Sequence, residues 1–194
     1  MIRKQTVRTY VILSIIISAF VGGFPLFVLL TDCAGSSEEA TVTEYEVKAA
    51  FLLNFVRFTD WPDRTRGETG NELVLGIAGE DRFDNALNLI RGKKVKGRTL
   101  VINNAVDSTN LTNCDILFIS SSEKDRLPSL MDALKGLPVL TVSEIEGFAQ
   151  RGGIINFIIV DNKVRFEINP DAAKQVGIHI SAQLLQLARI VTDE

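Results

Sequence analysis

Short apolar runs separated by polar, helix-compatible segments constrain this 194-residue chain more than any other feature. The runs are LVLGIAG (73–79), TLVIN (99–103), CDILFI (114–119) and LPVLTV (137–142). Each is short, apolar on both faces and bounded by turn or polar residues, which is typical of strands buried in a parallel sheet. The sequence therefore predicts strands that alternate with helices.

The C-terminal part predicts an antiparallel hairpin. GIINFIIVDNKVRFEIN at 153–169 contains two strand-like runs joined by Asp161 and Asn162, residues that tolerate the positive φ of a two-residue turn. The second run alternates apolar side chains with Arg165 and Glu167, which predicts a strand with one wet face at a sheet edge.

Helices are predicted from apolar spacing and from capping residues. The segments are 81–90, SEKDRLPSLMDAL (122–134), SEIEGFAQRGG (143–153) and, from a Ser cap, SAQLLQLARIV (181–191). The predicted fold class is α/β: a mostly parallel sheet flanked by helices on both faces, with an antiparallel hairpin at one edge.

The segment KAAFLLNFVRFTDWP (48–62) predicts a helix that is apolar nearly all round. One stripe would comprise Val47, Ala50, Phe51, Asn54 and Phe58. The opposite side would comprise Ala49, Leu52, Leu53 and Val56. Such a helix is either a central core helix or a core helix that also meets a partner.

The first 36 residues have the order of an export signal: basic residues, an apolar run at 10–30, then small residues. Three alternatives stay open, namely cleavage near 34–36, retention as an inner-membrane anchor, and lipid attachment at Cys33. All three place residues 37–194, predicted to be a single domain, in the periplasm.

Composition excludes several classes of function. Without residues 1–36 the chain has 18 basic and 23 acidic residues, so its net charge of −5 does not favour nucleic acid. Cys114 is then the only cysteine, which excludes an internal disulfide and favours a buried thiol over an intermolecular bridge. The single histidine, His179, indicates neither a multi-histidine metal site nor a triad, and no cofactor motif occurs.

Polar residues at the ends of the predicted strands suggest a ligand crevice, because ligands of open α/β sheets bind beyond the carboxyl ends of the strands. The candidates are Asn103, Ser120, Ser121, Thr141 and Ser143. Capping and turn roles are the competing interpretation for each of them. Asn156, between two apolar strand residues, is expected to be satisfied by neighbouring backbone.

Three separated motifs carry a family resemblance. They are E-x-x-V-K-A-A-F-L-x-N-F-x-x-F-x-x-W-P at 44–62, C-D-I-L-F-I at 114–119, and the segment 139–191 with VLTVSEIEGFAQRGGIINF, DNKVRFEINPDAA and ISAQLLQLARIV. In this order they resemble the YfiR/HmsC-like family of periplasmic proteins. The resemblance covers essentially all of 44–191.

The resemblance implies a non-catalytic regulator that binds the periplasmic part of an inner-membrane diguanylate cyclase and holds it inactive. Envelope stress or an OmpA-like outer-membrane lipoprotein would relieve the inhibition and raise cyclic di-GMP and biofilm formation, and homodimers are expected. The partner-binding candidates are Phe51, Phe55, Phe58 and Trp61. The best-known member has disulfides that this chain lacks, so redox control is not carried over.

The alternative function is a small-ligand-binding sensory protein that uses the strand-end crevice and acts with a histidine kinase or a transporter. A ligand that raises the melting temperature would separate it from regulation by protein contact.

Overall fold

The computed structural model describes residues 42–62, 70–104, 106 and 110–193. Its α-helices are α1 (Glu44–Arg57), α2 (Leu127–Leu134), α3 (Pro170–Gln175) and α4 (Ala182–Leu185). Its strands are β1 (Thr59–Asp60), β2 (Glu72–Ala78), β3 (Lys94–Val95), β4 (Arg98–Asn103), β5 (Ile116–Ile119), β6 (Leu140–Ser143), β7 (Ile155–Val160), β8 (Lys163–Ile168), β9 (His179–Ile180) and β10 (Arg189–Ile190). Short 3-10 turns occupy Ala86–Leu89, Leu111–Asn113, Ser121–Arg126 and Ala149–Arg151.

Eight strands form one mixed sheet in the order β10-β8-β7-β6-β5-β2-β4-β3. The five central strands β4, β2, β5, β6 and β7 are all parallel, and their order along the sheet reverses between β2 and β5. Strands β3 and β8 add antiparallel pairs towards the two edges, and β1 pairs with β9 in a separate two-stranded sheet. The predicted α/β class with a mostly parallel sheet is confirmed.

The two faces of the sheet carry separate apolar cores. Successive residues of a strand point to opposite faces, so Ile116 and Phe118 of β5 pack in the core that α1 covers. Leu117 and Ile119 of the same strand pack in the core that α2 covers. Strand β5 is therefore buried on both sides, which explains why its sequence is an uninterrupted apolar run.

Helix α1 begins at a capping box, in which the Thr43 side chain accepts from the Glu46 backbone and the Glu46 carboxylate accepts from the Thr43 backbone. Of the predicted stripe, Val47, Phe51 and Phe58 pack partly buried against the core, whereas Ala50 is exposed. The helix is buried chiefly through the opposite side. The buried residues are Lys48, Ala49, Leu52, Leu53, Phe55 and Val56. The burial of a lysine on this side has consequences for the site described below.

The predicted hairpin is confirmed, with β7 and β8 antiparallel and Asp161 and Asn162 at φ 49° and 57°. The prediction that β8 has one wet face at a sheet edge holds for its first part, where Lys163 and Arg165 are exposed. It was wrong for Glu167, which is 1% exposed because the two-residue strand β10 pairs outside β8 at Glu167 and Ile168. Glu167 was predicted to face solvent because the alternation of apolar and charged residues along β8 does not reveal that another strand covers this position.

Three predicted helices are much shorter than their apolar spacing indicated. Within 81–90 the structure has only the 3-10 turn Ala86–Leu89. Within 143–153 the structure has one 3-10 turn, after which Gly152 takes φ 85°. Within 181–191 a single turn, α4, is capped by Ser181 and the chain then extends into β10. In the last segment, pairing of β10 with β8 replaced further helix.

The export signal predicted for residues 1–36 lies outside the described residues. Among residues 42–193, wherever the structure describes them, no helix combines the length and the apolarity needed to cross a membrane.

Candidate functional site

A polar cleft of about 780 Å³ opens beyond the carboxyl ends of the central strands. Arg82 follows β2, Ser121 follows β5 and Glu144 follows β6, so three crossovers bring side chains to one place. The N-terminal turns of α1 and the β7–β8 pair supply the remaining walls. The cleft therefore lies where open α/β sheets bind ligands, next to the point at which the strand order reverses.

A buried ion pair occupies one end of the cleft. Lys48 Nζ lies 2.6 Å from Glu144 Oε2 and 2.5 Å from Glu44 Oε1, and the lysine side chain is 4% exposed. The ammonium also lies 4.5 Å from the centroid of the Tyr45 ring, within the range of a cation–π contact. Lys48 is thus the only charged residue on the buried side of α1, and its buried partner, Glu144, directly follows β6.

Glu144 accepts hydrogen bonds from two further side chains and forms a second ion pair. Tyr45 Oη donates to the carboxylate at 3.2 Å, Ser121 Oγ donates to Oε1 at 3.0 Å, and Arg82 Nη1 lies 3.7 Å away. Burial opposes the ionisation of Glu144, but the hydrogen bond and charge of Lys48 outweigh it and hold its pKa below the ordinary value of 4.5. Burial, reinforced by the Glu144 carboxylate, raises the pKa of Tyr45 to about 12.

A second buried carboxylate, Glu167, lies at the other end of the cleft. Arg189 of β10 forms an ion pair with its Oε1. Its Oε2 accepts from Gln150 Nε2 at 3.4 Å and from Asn156 Nδ2 at 3.3 Å. With its amide reversed, Asn156 instead donates to the carbonyls of Ser143 and Ile145, each at 3.1 Å. The backbone satisfaction expected for Asn156 is therefore one of two arrangements available to it.

The five predicted crevice residues lie close to the ends of their strands but differ in accessibility. Ser121 lines the cleft and bonds to Glu144 and Arg82. Ser120 is fully buried, and Asn103 is partly buried at the end of β4. The other two side chains serve the backbone: Ser143 donates to the Ile119 carbonyl and accepts from the Ile145 amide, and Thr141 accepts from the Ile154 amide. A ligand role for this set stays a prediction, with Ser121 best placed for it.

The four predicted partner-binding residues lie at or near α1 in different environments. Phe55 is fully buried and presents no surface to a partner. Phe58 and Trp61 are partly buried, and Trp61 Nε1 donates to the Asp115 carbonyl at 2.9 Å. Phe51 is partly buried, with its ring 5.2 Å from that of Phe166. Partner binding by these residues stays a prediction.

Phe51 also lines an apolar groove of about 450 Å³ between α1 and the β7–β8 hairpin. Val42 and Ile159, which are 70% and 53% exposed, form part of its walls. Lys163 and Arg165 of β8 add two positive charges beside it, and Glu44 of α1, which pairs with Lys48, adds one negative charge. We call this surface the hairpin groove; it combines exposed apolar side chains with flanking basic ones, as protein interfaces often do.

The sequence interpretation missed the principal charged residues of the cleft, Lys48, Glu144 and Glu167. A signal for Lys48 was present, because it is a single charge at the start of an apolar helical run and stands four residues after Glu44. Nothing local marks Glu144, which pairs with Lys48 from 96 residues away. Among the described residues no cluster of three or more His, Cys, Asp or Glu could hold a metal ion.

The fold and the cleft together place the protein in the open, mostly parallel α/β class. The family model described as YfiR/HmsC-like matches residues 45–189, and the chain therefore belongs to the YfiR/HmsC-like family. This family comprises periplasmic, non-catalytic regulators of cyclic di-GMP signalling. The family resemblance drawn from the three sequence motifs is confirmed.

A solved structure with a related fold is the crystal structure of an ABC domain in complex with L-Trp from Streptococcus pneumonia. It matches with a TM-score of 0.50 and 10% sequence identity over 74% of this chain, and the chain spans 60% of that structure's length. At this identity the likeness shows the fold alone.

Proposed function

We propose that this protein is a periplasmic regulator that binds a membrane-bound diguanylate cyclase and holds it inactive, which limits cyclic di-GMP and biofilm formation. The observation that carries the proposal is membership of the YfiR/HmsC-like family, with a match over residues 45–189. The regulator would bind the inactive state of the cyclase more tightly than the active state and thereby shift its population. An OmpA-like lipoprotein that competes for the regulator would release the cyclase, and the regulator would act as a homodimer.

The hairpin groove supports contact with a protein partner. Its apolar walls at Val42, Phe51 and Ile159 offer a surface of the kind that interface anchors occupy, and Lys163 and Arg165 favour an acidic flank on the partner. We therefore assign the cyclase contact to this groove. Phe51, one of the four residues predicted from the sequence, belongs to it.

The test uses cells that encode the protein and measures cyclic di-GMP. Deleting the gene is expected to raise cyclic di-GMP, and the wild-type gene is expected to restore the lower level. Ile159→Asp should fail to restore it, because a carboxylate in an apolar contact is desolvated without a partner. Leu89→Asp is the matched control, since Leu89 is 56% exposed and lies outside the groove.

Two results decide between the parts of the proposal. Unchanged cyclic di-GMP after deletion would remove the cyclase as the target. Full restoration by both variants, with both proteins folded at wild-type abundance, would remove the hairpin groove as the contact while leaving cyclase regulation intact.

The strand-end cleft favours a second function, in which the protein senses a small ligand and passes the signal to a membrane kinase, transporter or cyclase. The supporting observation is a cleft of about 780 Å³ with buried charged and amide side chains, within the size range of ligand pockets. A ligand that raises the melting temperature of the wild-type protein tests this function.

A further inference from the structure

The two edges of the eight-stranded sheet are protected to different degrees. Both edge strands, β3 and β10, have only two residues. β3 lies in a stretch with three exposed lysines, Lys93, Lys94 and Lys96, and charged side chains of this kind discourage further strands from pairing with an edge. β10 has no lysine or proline, and its Arg189 is ion-paired with the buried Glu167 of β8. The β10 edge is therefore the less protected of the two.

The backbone of β10 presents hydrogen-bonding groups on its outer side. The Val191 N–H donates to the Ile168 carbonyl of β8 at 2.9 Å. Because the backbone groups of successive strand residues point to opposite edges, the N–H and the carbonyl of Ile190 point away from β8. Among the described residues no strand pairs with β10 on that side. Ile190 thus offers one donor and one acceptor to a strand from another molecule.

Apolar side chains accompany this backbone. Ile190 is 50% exposed, and Leu187, which precedes β10, is 70% exposed. Ile190 lies in register with Ile168, which is fully buried in the core that α1 covers. The apolar layer of the sheet therefore continues to the rim at Ile190. A strand laid along β10 would remove part of this surface from water, which favours pairing.

Two polar contacts hold β10 in an extended form. On one side of Ile190, Arg189 pairs with Glu167, which is 1% exposed. On the other side, the fully buried side chain of Asn169 donates through Nδ2 to Asp193 Oδ1 at 2.6 Å. Because these contacts fix the edge before any partner arrives, pairing costs less conformational entropy than it would for a free chain end.

The charges beside β10 favour a second copy of this chain as the partner. Both signs occur there, with Arg189 and Lys174 against Asp171 and Asp193. An interface across a twofold axis must be complementary to itself, and a surface of balanced charge meets that requirement. The hairpin groove has one positive charge in excess, so it suits an acidic partner better than its own copy.

A twofold axis at Ile190 would place each Ile190 opposite the Ile190 of the partner subunit. Arg189 would then face Val191 of the partner subunit, and Leu187 would face Asp193 of the partner subunit. No like charges meet across such a pair.

We propose that β10 pairs antiparallel with β10 of a second copy, with Ile190 at the twofold axis, so that two eight-stranded sheets become continuous. This inference rests on the homodimer of the proposed function and names its surface. It uses no residue of the hairpin groove, which stays available to the cyclase in each copy.

The experiment measures the dimer dissociation constant of the full-length protein, purified from the cell envelope, by sedimentation equilibrium. A short strand edge buries less area than a standard interface, so the dissociation constant of the wild type is expected in the range from about 1 μM to about 500 μM.

Two variants test the surface against a matched control. Ile190→Lys should raise the dissociation constant by about tenfold or more, because each copy loses apolar burial and two like charges then face each other. Leu89→Lys should leave the constant unchanged, since Leu89 is 56% exposed and lies outside β10. If Ile190→Lys fails to fold, Leu187→Asp carries the same test, because its carboxylate would face Asp193 of the partner subunit.

A mixing experiment tests the register. Ile190→Glu alone should dissociate as readily as Ile190→Lys alone. An equal mixture of the two should recover the dimer, because opposite charges then face each other across the axis. Recovery would also show that both variants are folded.

The overturning results are specific. A wild type that stays monomeric up to about 500 μM would reject the dimer and this inference with it. An unchanged dissociation constant for Ile190→Lys would reject the β10 edge as the surface. A mixture that stays monomeric, although each variant melts at the wild-type temperature, would reject the pairing at Ile190. None of these results bears on cyclase inhibition, which the deletion experiment measures through cyclic di-GMP.

Discussion

Replacing Lys48 by Met tests whether the cleft is built around a buried charge. Methionine keeps the aliphatic stem in the core, but it leaves the Glu144 side chain, 9% exposed, without the ammonium that lies 2.6 Å away. Removing one partner of a buried ion pair costs about 3–5 kcal/mol. We expect about 3 kcal/mol, the lower end of that range, because Arg82 already lies 3.7 Å from Glu144 and is exposed enough to move closer. The Glu44 contact adds little, since that carboxylate is 48% exposed.

The assay is thermal and urea unfolding of the two proteins near neutral pH. For a domain of this size 1 kcal/mol shifts the melting temperature by about 2–4 °C, so the variant should melt about 6–12 °C lower. Lys174→Met, at an exposed lysine of α3, is the matched control and should change stability by less than about 0.5 kcal/mol. Adding Glu144→Gln to Lys48→Met should recover part of the loss, because the unpaired charge is then gone.

The pH dependence gives a second, independent check. The pKa of Glu144 in the folded protein lies below 4.5, so its ionised form stabilises the wild type above that pH and this stability is lost as the pH falls through the folded pKa. Without Lys48, burial would raise the pKa of Glu144, so acidification would protonate Glu144 in the variant and remove the unpaired charge. The difference in free energy of unfolding between the wild type and Lys48→Met should therefore become smaller towards acidic pH. A variant as stable as the wild type at neutral pH, or a difference that does not change with pH, would refute the buried-charge argument.

Three further predictions concern other parts of the fold. Because the pKa of Tyr45 is raised to about 12, ultraviolet titration should show an ionisation near that pH that Tyr45→Phe removes and Glu144→Gln moves lower. The burial of the hydroxyl would be contradicted if the ionisation that Tyr45→Phe removes lay near 10, the ordinary tyrosine value. Gly76→Ala should lower the free energy of unfolding by about 1–3 kcal/mol, because the added Cβ would lie 2.5 Å from Cys114 Sγ. The same substitution should cost less in a Cys114→Ala background, and additive effects of the two substitutions would argue against the clash. Asp161→Val should destabilise the hairpin by about 1–2 kcal/mol, because a β-branched residue is strained at φ 49°, and no loss of melting temperature would count against the turn assignment.

The sequence by itself determined the alternating α/β plan, the hairpin turn and the family. These features depend on the local sequence. Apolar runs indicate buried strands, and Asp161 and Asn162 tolerate the left-handed backbone of a turn. The motifs at 44–62, 114–119 and 139–191, in that order, indicate the family. Each rule uses only neighbours along the chain, so it holds before the chain folds.

The tertiary structure decided which side of α1 is buried and which charges meet. The side containing Lys48 also carries Leu52, Phe55 and Val56, whose burial favours packing on the sheet. Lys48 is tolerated there because Glu144, 96 residues later, pairs with its ammonium beyond the end of β6. Glu167 became buried because β10 pairs outside β8, although its alternating pattern predicted exposure to solvent. A buried charge is tolerated only where a distant segment supplies its partner, and periodicity carries no information about distant segments. The cleft is therefore a product of long-range pairing, whereas the sheet that supports it follows from local sequence.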